Sequence, residues 1–87
     1  MVVIQLLAKH FNGTDFIDCN GCAIERAAKE AFPESKSIHE NVSHCRVDGQ
    51  KYSHEWYGAK AFDEDKEEAE AHNFDDTVIR ELIFTEK

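Results

Sequence analysis

Two cysteines, Cys19 and Cys22, form the one pair of reactive side chains in this sequence whose spacing matches a known chemistry. They follow a predicted first strand and open a predicted helix. At a helix N-terminus the backbone dipole lowers the pKa of a thiol, and the resulting thiolate is both a redox nucleophile and a metal ligand. The pair therefore indicates two chemistries, thiol exchange and zinc binding.

The segment Cys-Asn-Gly-Cys at residues 19–22 resembles the active-site motif of thioredoxins and glutaredoxins. This resemblance implies a thiol redox protein in which Cys19 and Cys22 are the redox pair. It covers four residues, and the aromatic or proline neighbours of the family motif are missing. Pro33 is the single proline of the chain, so no proline stands where it could face the pair.

A zinc site would need two more ligands, and Cys45 with one histidine would complete a tetrahedral Cys₃His set. Adjacent residues of a strand point to opposite faces, so His44 is a poor companion for Cys45, and His54 on the next strand is the better candidate. A zinc-stabilised module using Cys19, Cys22, Cys45 and His54 is therefore one alternative. We favour the interpretation that the cysteines are small buried apolar side chains, with no metal and no cofactor.

Length and charge limit the classes of function. The 87 residues are enough for one α+β domain, 1–87, whose small core would gain stability from a partner or from a second copy in a homodimer. The net charge is −8, and residues 58–87 hold ten acids and four bases. Since no run of Lys or Arg occurs, direct binding to nucleic acid or to an anionic membrane is not expected. A protein partner with a basic surface fits this charge better.

Targeting signals are also not expected. The apolar run at residues 2–8 has no basic leader and is too short to cross a bilayer. An odd number of cysteines, three, without an export signal favours free thiols in a reducing compartment. The predicted location is cytoplasmic.

Hydrophobic periodicity predicts six elements. The clearest are an amphipathic helix that ends before Pro33 and a β-hairpin at Asp48 and Gly49, a dipeptide that favours a type I′ turn. In that hairpin Val47 pairs with Gln50, Cys45 with Tyr52, Ser43 with His54 and Asn41 with Trp56, and a bulge is expected near Ser43. The predicted elements are a central strand at 2–8, a helix at 21–32, strands at 38–47 and 50–57, a weakly amphipathic helix at 59–73 and a strand at 77–85.

The order βαββαβ predicts a four-stranded antiparallel sheet with two helices on one face, the ferredoxin-like split βαβ arrangement. A sheet ordered by sequential hairpins, with the second helix across one end, is the alternative. In either arrangement the second helix exposes most of its charged residues.

The surface of this second helix is the predicted site of partner binding. Aromatic residues at 56 and 57 lead directly into it, and aromatic anchors beside charge are typical of protein interfaces. Trp56 is expected to close the core, which leaves Tyr57 for contact. The sequence thus predicts a small, acidic, non-enzymatic binding module, such as a phage or accessory inhibitor that occupies a basic, nucleic-acid-binding site on a host defence protein. The predicted contact residues are Tyr57, Asp63, Glu64, Glu67, Glu68 and Glu70.

Overall fold

A computed structural model describes residues 1–14, 22–40, 44–56 and 59–87 of the chain. Within these ranges the protein is an α+β domain in which two α-helices pack against an antiparallel sheet of five strands. The elements are β1 (Val2–Leu7), a 3₁₀ helix (Ala8–Phe11), α1 (Cys22–Ala31), β2 (Ile38–Glu40), β3 (His44–Val47), β4 (Gln50–Ser53), α2 (Ala59–Ala71) and β5 (Val78–Glu86).

The strand order is β1-β5-β4-β3-β2, which corrects the predicted four-stranded, ferredoxin-like sheet. The predicted long strand at 38–47 is two strands that pair with each other, Ile38 with Val47 and Glu40 with Cys45. Since β2 and β3 are antiparallel, the chain reverses between them, where the sequence predicted one continuous strand. The neighbours β2 to β5 follow each other in sequence order, as in the alternative of sequential hairpins.

The first strand lies at an edge of the sheet and not at its centre. β1 pairs with β5, Val3 opposite Ile83 and Gln5 opposite Glu81. Ile4 and Leu6 are fully buried, whereas 52% of Val3 is exposed. The apolar run therefore covers one face of the sheet, and its outward residues meet solvent.

The predicted hairpin register is confirmed where the structure describes it. Val47 pairs with Gln50 and Cys45 with Tyr52. Asp48 and Gly49 have φ angles of 50° and 89°, as a type I′ turn requires. The predicted partners Asn41 and Ser43, and the predicted bulge, lie outside the described residues.

Both helices lie within two residues of their predicted bounds. α1 buries Ile24, Ala27 and Ala28 against β1 and β2, since the alanines allow close approach of the helix to the sheet. α2 contacts β5 and the 3₁₀ helix. Among the described residues, no helix is both long enough and apolar enough to cross a membrane.

Candidate functional site

The exposed side of α2 carries five carboxylates, which we call the acidic face: Asp63, Glu64, Glu67, Glu68 and Glu70. All five residues are exposed, as the sequence predicted. At about 100° per residue they span an arc of about 160° on the helix, opposite the side that faces the core. Among the described residues, the ion pair to this face is the one between Lys60 and Glu64, at 4.0 Å. The acidic face thus presents largely uncompensated negative charge to solvent.

Aromatic packing fixes one side of α2. Phe62 lies beside Phe11 of the 3₁₀ helix, with ring centroids 5.8 Å apart, and beside Trp56 at 6.2 Å. Phe11 and Trp56 also meet edge to face at 6.0 Å. Trp56 is buried, so the prediction that it closes the core is confirmed. These three rings attach the helix to the core and leave its acidic face outward.

Asp65 gives α2 a second attachment, which is polar. This carboxylate is buried, and its Oδ2 accepts hydrogen bonds from Trp56 Nε1 at 2.6 Å and from Arg80 Nε at 2.7 Å. Arg80 Nη2 also donates to Oδ1 at 3.3 Å. The pKa of Arg80 is raised, first by its hydrogen bond to Asp65. The pair joins α2 to β5 and to the segment that follows β4.

Sequence reasoning missed the role of Asp65. In the sequence Asp65 stands between other acids in the first half of the helix, where a negative charge suits the helix dipole, but α2 begins at Ala59 and has no acid in its first turn. The helical spacing of Asp65 could have indicated its burial. Asp65 is three residues after Phe62 and four before Ala69, both of which are buried, so it lies on the same side of the helix. A carboxylate on the apolar side of a helix indicates a buried partner, since an unpaired buried charge is costly.

A surface cavity of about 560 Å³ adjoins the acidic face. It exists where β4 and β5 separate, because these strands pair through Tyr52 with Glu86 and Ser53 with Thr85, after which the chain leaves β5. Its charged lining consists of Glu55, Glu64, Glu81 and Arg80. Since Arg80 is already bound to Asp65, the groove extends the negative surface and suits a cationic side chain.

The remaining predicted contact and ligand residues are only partly described. Tyr57 and Cys19 lie outside the described residues, as does the side chain of Cys22. Among the residues that the structure does describe, no three His, Cys, Asp or Glu side chains are grouped to hold a metal ion. The zinc and redox interpretations of the Cys19 and Cys22 pair therefore stay predictions.

Cys45 is fully buried in the hydrophobic core. Burial raises the pKa of its thiol to about 12. A thiol with this pKa is almost entirely protonated at neutral pH, so it is a poor nucleophile and a poor metal ligand. The environment of Cys45 agrees with the interpretation of a small apolar core residue.

His54 is also buried, and both of its ring nitrogens have hydrogen-bond partners. The backbone N–H of Trp56 donates to Nδ1 at 3.3 Å, so Nε2 carries the proton and donates to Glu40 Oε1 at 3.1 Å. Neither nitrogen is free to bind zinc while these contacts persist. Burial raises the pKa of Glu40, although its bond to His54 acts in the opposite direction. The pair joins β2 to the end of β4 inside the core.

Within the described part of the chain, α2 therefore presents an extended acidic surface, the acidic face with its adjoining groove, and the contacts of Asp65 attach this helix to the core. No protein-family model, no curated protein and no solved structure was found to match the chain.

Proposed function

We propose that this protein is a non-enzymatic binding module whose acidic face docks on a basic surface of a protein partner. The observation that carries the proposal is the exposure of five carboxylates on one side of α2, of which Glu64 alone has a described ion pair. Carboxylates in this state attract a complementary surface over several ångströms and raise its rate of association.

The basic residues of α2 support this interpretation. Lys60 is 91% exposed on its side chain, and its contact with Glu64 is at the limit of an ion pair. Lys66 does not lie among the acids, because its ammonium group donates to the backbone carbonyl of Thr14. The helix thus directs one of its two cations away from the acidic face, which leaves that face available to the cations of a partner.

The groove beside α2 gives the docking surface a shape as well as a charge. Its volume, about 560 Å³, is within the range of about 300–1,000 Å³ that small ligands occupy, so an inserted Arg or Lys side chain would fit. Glu55, Glu64 and Glu81 line it, and its apolar lining includes Ile83. A long cationic side chain could place its stem on Ile83 and its charge near these carboxylates.

The partner class follows from chemistry. A site that binds nucleic acid presents clustered Lys and Arg, and an acidic protein of this size could occupy it. A phage-encoded or accessory inhibitor of a host defence protein would act in this way, and that step rests on physical analogy. The proposal includes a cytoplasmic location and admits a homodimer, because a small core gains stability from association.

The test is to isolate the partner with the tagged chain from lysate of the organism that encodes it, and then to measure its affinity for variants. The triple variant E67Q/E68Q/E70Q removes three charges from the acidic face. The matched control, E34Q/D76N/E86Q, removes three exposed acids elsewhere. At about 0.5 kcal/mol per exposed charge pair, we expect the first variant to bind about tenfold more weakly.

The control should bind within about threefold of the wild type, because long-range attraction from scattered charges is screened beyond about 10 Å at 0.1 M salt. Wild-type affinity should also fall as salt is added, and nucleic acid should compete with the chain for the partner. Equal losses for the two variants, or an affinity that salt does not change, would show that the acidic face is not the docking surface.

A further inference from the structure

The outer face of β2, β3 and β4 has the opposite charge from α2. Side chains along β2, β3 and β4 alternate between the two faces of the sheet, and those that point into the core are Ile38, Cys45, Val47 and Tyr52. The described residues that point outward from these three strands include no acid, although the chain has 18 acids and 10 bases. They are His39, His44, Arg46, Lys51 and Ser53, which we call the basic face.

The pairing register brings the cations of this face side by side. Arg46 lies directly opposite Lys51 on β4 and directly opposite His39 on β2. Side chains in such positions have Cβ atoms about 4.5–5.5 Å apart, and like charges there destabilise a sheet. The ion pairs of the described residues involve neither Arg46 nor Lys51. The sheet therefore holds two adjacent uncompensated cations, and an anion would relieve their repulsion.

A cavity of about 240 Å³ lies at this row. Its lining comprises His39, His44, Arg46, Lys51 and Glu40, the last of which is its one acid. The Glu40 side chain is 4% exposed and accepts its hydrogen bond from buried His54, so its carboxylate is directed into the core. The volume is below that of most drug-sized ligand sites and is sufficient for a phosphate group.

The surroundings of His44 agree with a cationic surface. Its pKa lies below the ordinary value, first through partial desolvation and then through the positive charges of Lys51 and Lys87. The backbone N–H of Lys87 donates to the carbonyl of Lys51, which places the last residue of the chain at the same end of the sheet. The positive potential thus extends beyond the Arg46 row.

We propose that the basic face binds an oxyanion of the phosphate class, with Arg46 and Lys51 as its charged contacts and a ring N–H of His39 as a further donor. A guanidinium group offers two parallel N–H donors to such an anion, and an ammonium group supplies a compact charge. Two sources share this chemistry, a free phosphate or phosphate monoester and the phosphodiester backbone of a nucleic acid. The proposal does not depend on the function of the acidic face.

The test is a titration of the ¹⁵N-labelled chain at pH 7 and low ionic strength, first with inorganic phosphate and separately with a short single-stranded oligothymidylate. Binding should shift the amide resonances of His39, Arg46 and Lys51 in a saturable manner. R46Q/K51Q should weaken this binding at least tenfold. K36Q/K60Q, with the same net charge and two exposed lysines removed elsewhere, should bind within about twofold of the wild type.

The two ligands distinguish the sources, because saturation by phosphate indicates a free anion or monoester and saturation by the oligonucleotide alone indicates a phosphodiester backbone. R46K supplies a second measurement. It keeps the positive charge but loses the planar guanidinium with its two parallel N–H donors, and it should weaken binding by severalfold. The absence of saturable shifts with both ligands, or an equal loss for R46Q/K51Q and K36Q/K60Q, would overturn the proposal. Retention of the wild-type pattern of resonances elsewhere shows that each variant is folded.

Discussion

Replacing Asp65 by Ala removes the one acceptor that Trp56 Nε1 and Arg80 share. Trp56 is 8% exposed, so its indole N–H would lose its partner where water has little access. Arg80 is different, because 45% of its side chain is exposed and water can solvate it. The cost of the substitution therefore arises mainly at the tryptophan.

The magnitude can be estimated from these exposures. An unsatisfied buried donor costs about 1–3 kcal/mol, and the lost ion pair, discounted for the exposure of Arg80, adds about 0.5–1 kcal/mol. We expect the free energy of unfolding of D65A to fall by about 3 kcal/mol. D65N keeps an acceptor for Trp56 but sets an amide N–H against a donor of Arg80, so a loss of about 1.5 kcal/mol is expected. For a chain of this size, the loss of about 1.5 kcal/mol in D65N lowers the Tm by about 6–12 °C.

The assay is urea unfolding followed by the emission of Trp56, the single tryptophan of the chain, and by helical circular dichroism. E64Q, a neutralisation of the exposed residue beside Asp65, is the control and should stay within about 0.5 kcal/mol of the wild type. If D65A also falls within this margin, the reasoning that Asp65 attaches α2 to the core is refuted.

Three further predictions concern buried or strained positions. Cys45, whose pKa is about 12, should resist iodoacetamide at about pH 8 in the folded chain and react once urea unfolds it, as peptide mapping can show; equal rates in both states would contradict its burial. Burial raises the pKa of Glu40, so the carboxyl group of Glu40 binds its proton more tightly in the folded chain than in the unfolded chain. The resulting stability is complete below pH 4.5 and is lost as the pH rises through the folded pKa, so E40Q, which can still accept from His54, should flatten the pH dependence of the urea midpoint there. An unchanged slope in E40Q would exclude this source. G49A should lower the free energy of unfolding by about 1–2 kcal/mol, because the φ of Gly49 is +89°. An added Cβ would meet no atom within 4 Å beyond its neighbours in sequence, so the backbone conformation alone causes this cost. A neutral result in urea unfolding would show that the turn relaxes.

Local patterns predicted the local structure well. Asp48 and Gly49 determined the turn and the register of β3 with β4, because a two-residue loop permits few geometries. The helical spacing of Ile24, Ala27 and Ala28 predicted the buried side of α1. These inferences required residues that are near one another in the chain.

Strand order could not be predicted in the same way, because it depends on which distant segments meet. Residues 38–47 contain no Gly or Pro, and the reversal between β2 and β3 therefore resembled an irregular single strand. The five acids of the acidic face were predicted as exposed and are exposed. By contrast, the pair of Asp65 and Arg80 depends on tertiary contacts, and the position of His39 opposite Arg46 depends on the pairing of β2 with β3. The position of Arg46 opposite Lys51 follows from the hairpin register that Asp48 and Gly49 predict.

The pairing of β1 with β5 has a consequence for the kinetics of folding. Val2 lies opposite Phe84, so two neighbouring strands of the sheet are separated in sequence by all the other described elements. Such non-local contacts require the closure of a long loop before they contribute stability, and proteins that depend on them fold slowly. During synthesis β1 has no strand partner until β5 emerges, and Ile4 and Leu6 cannot complete the core before that point. The final strand should therefore set the rate at which the whole sheet forms.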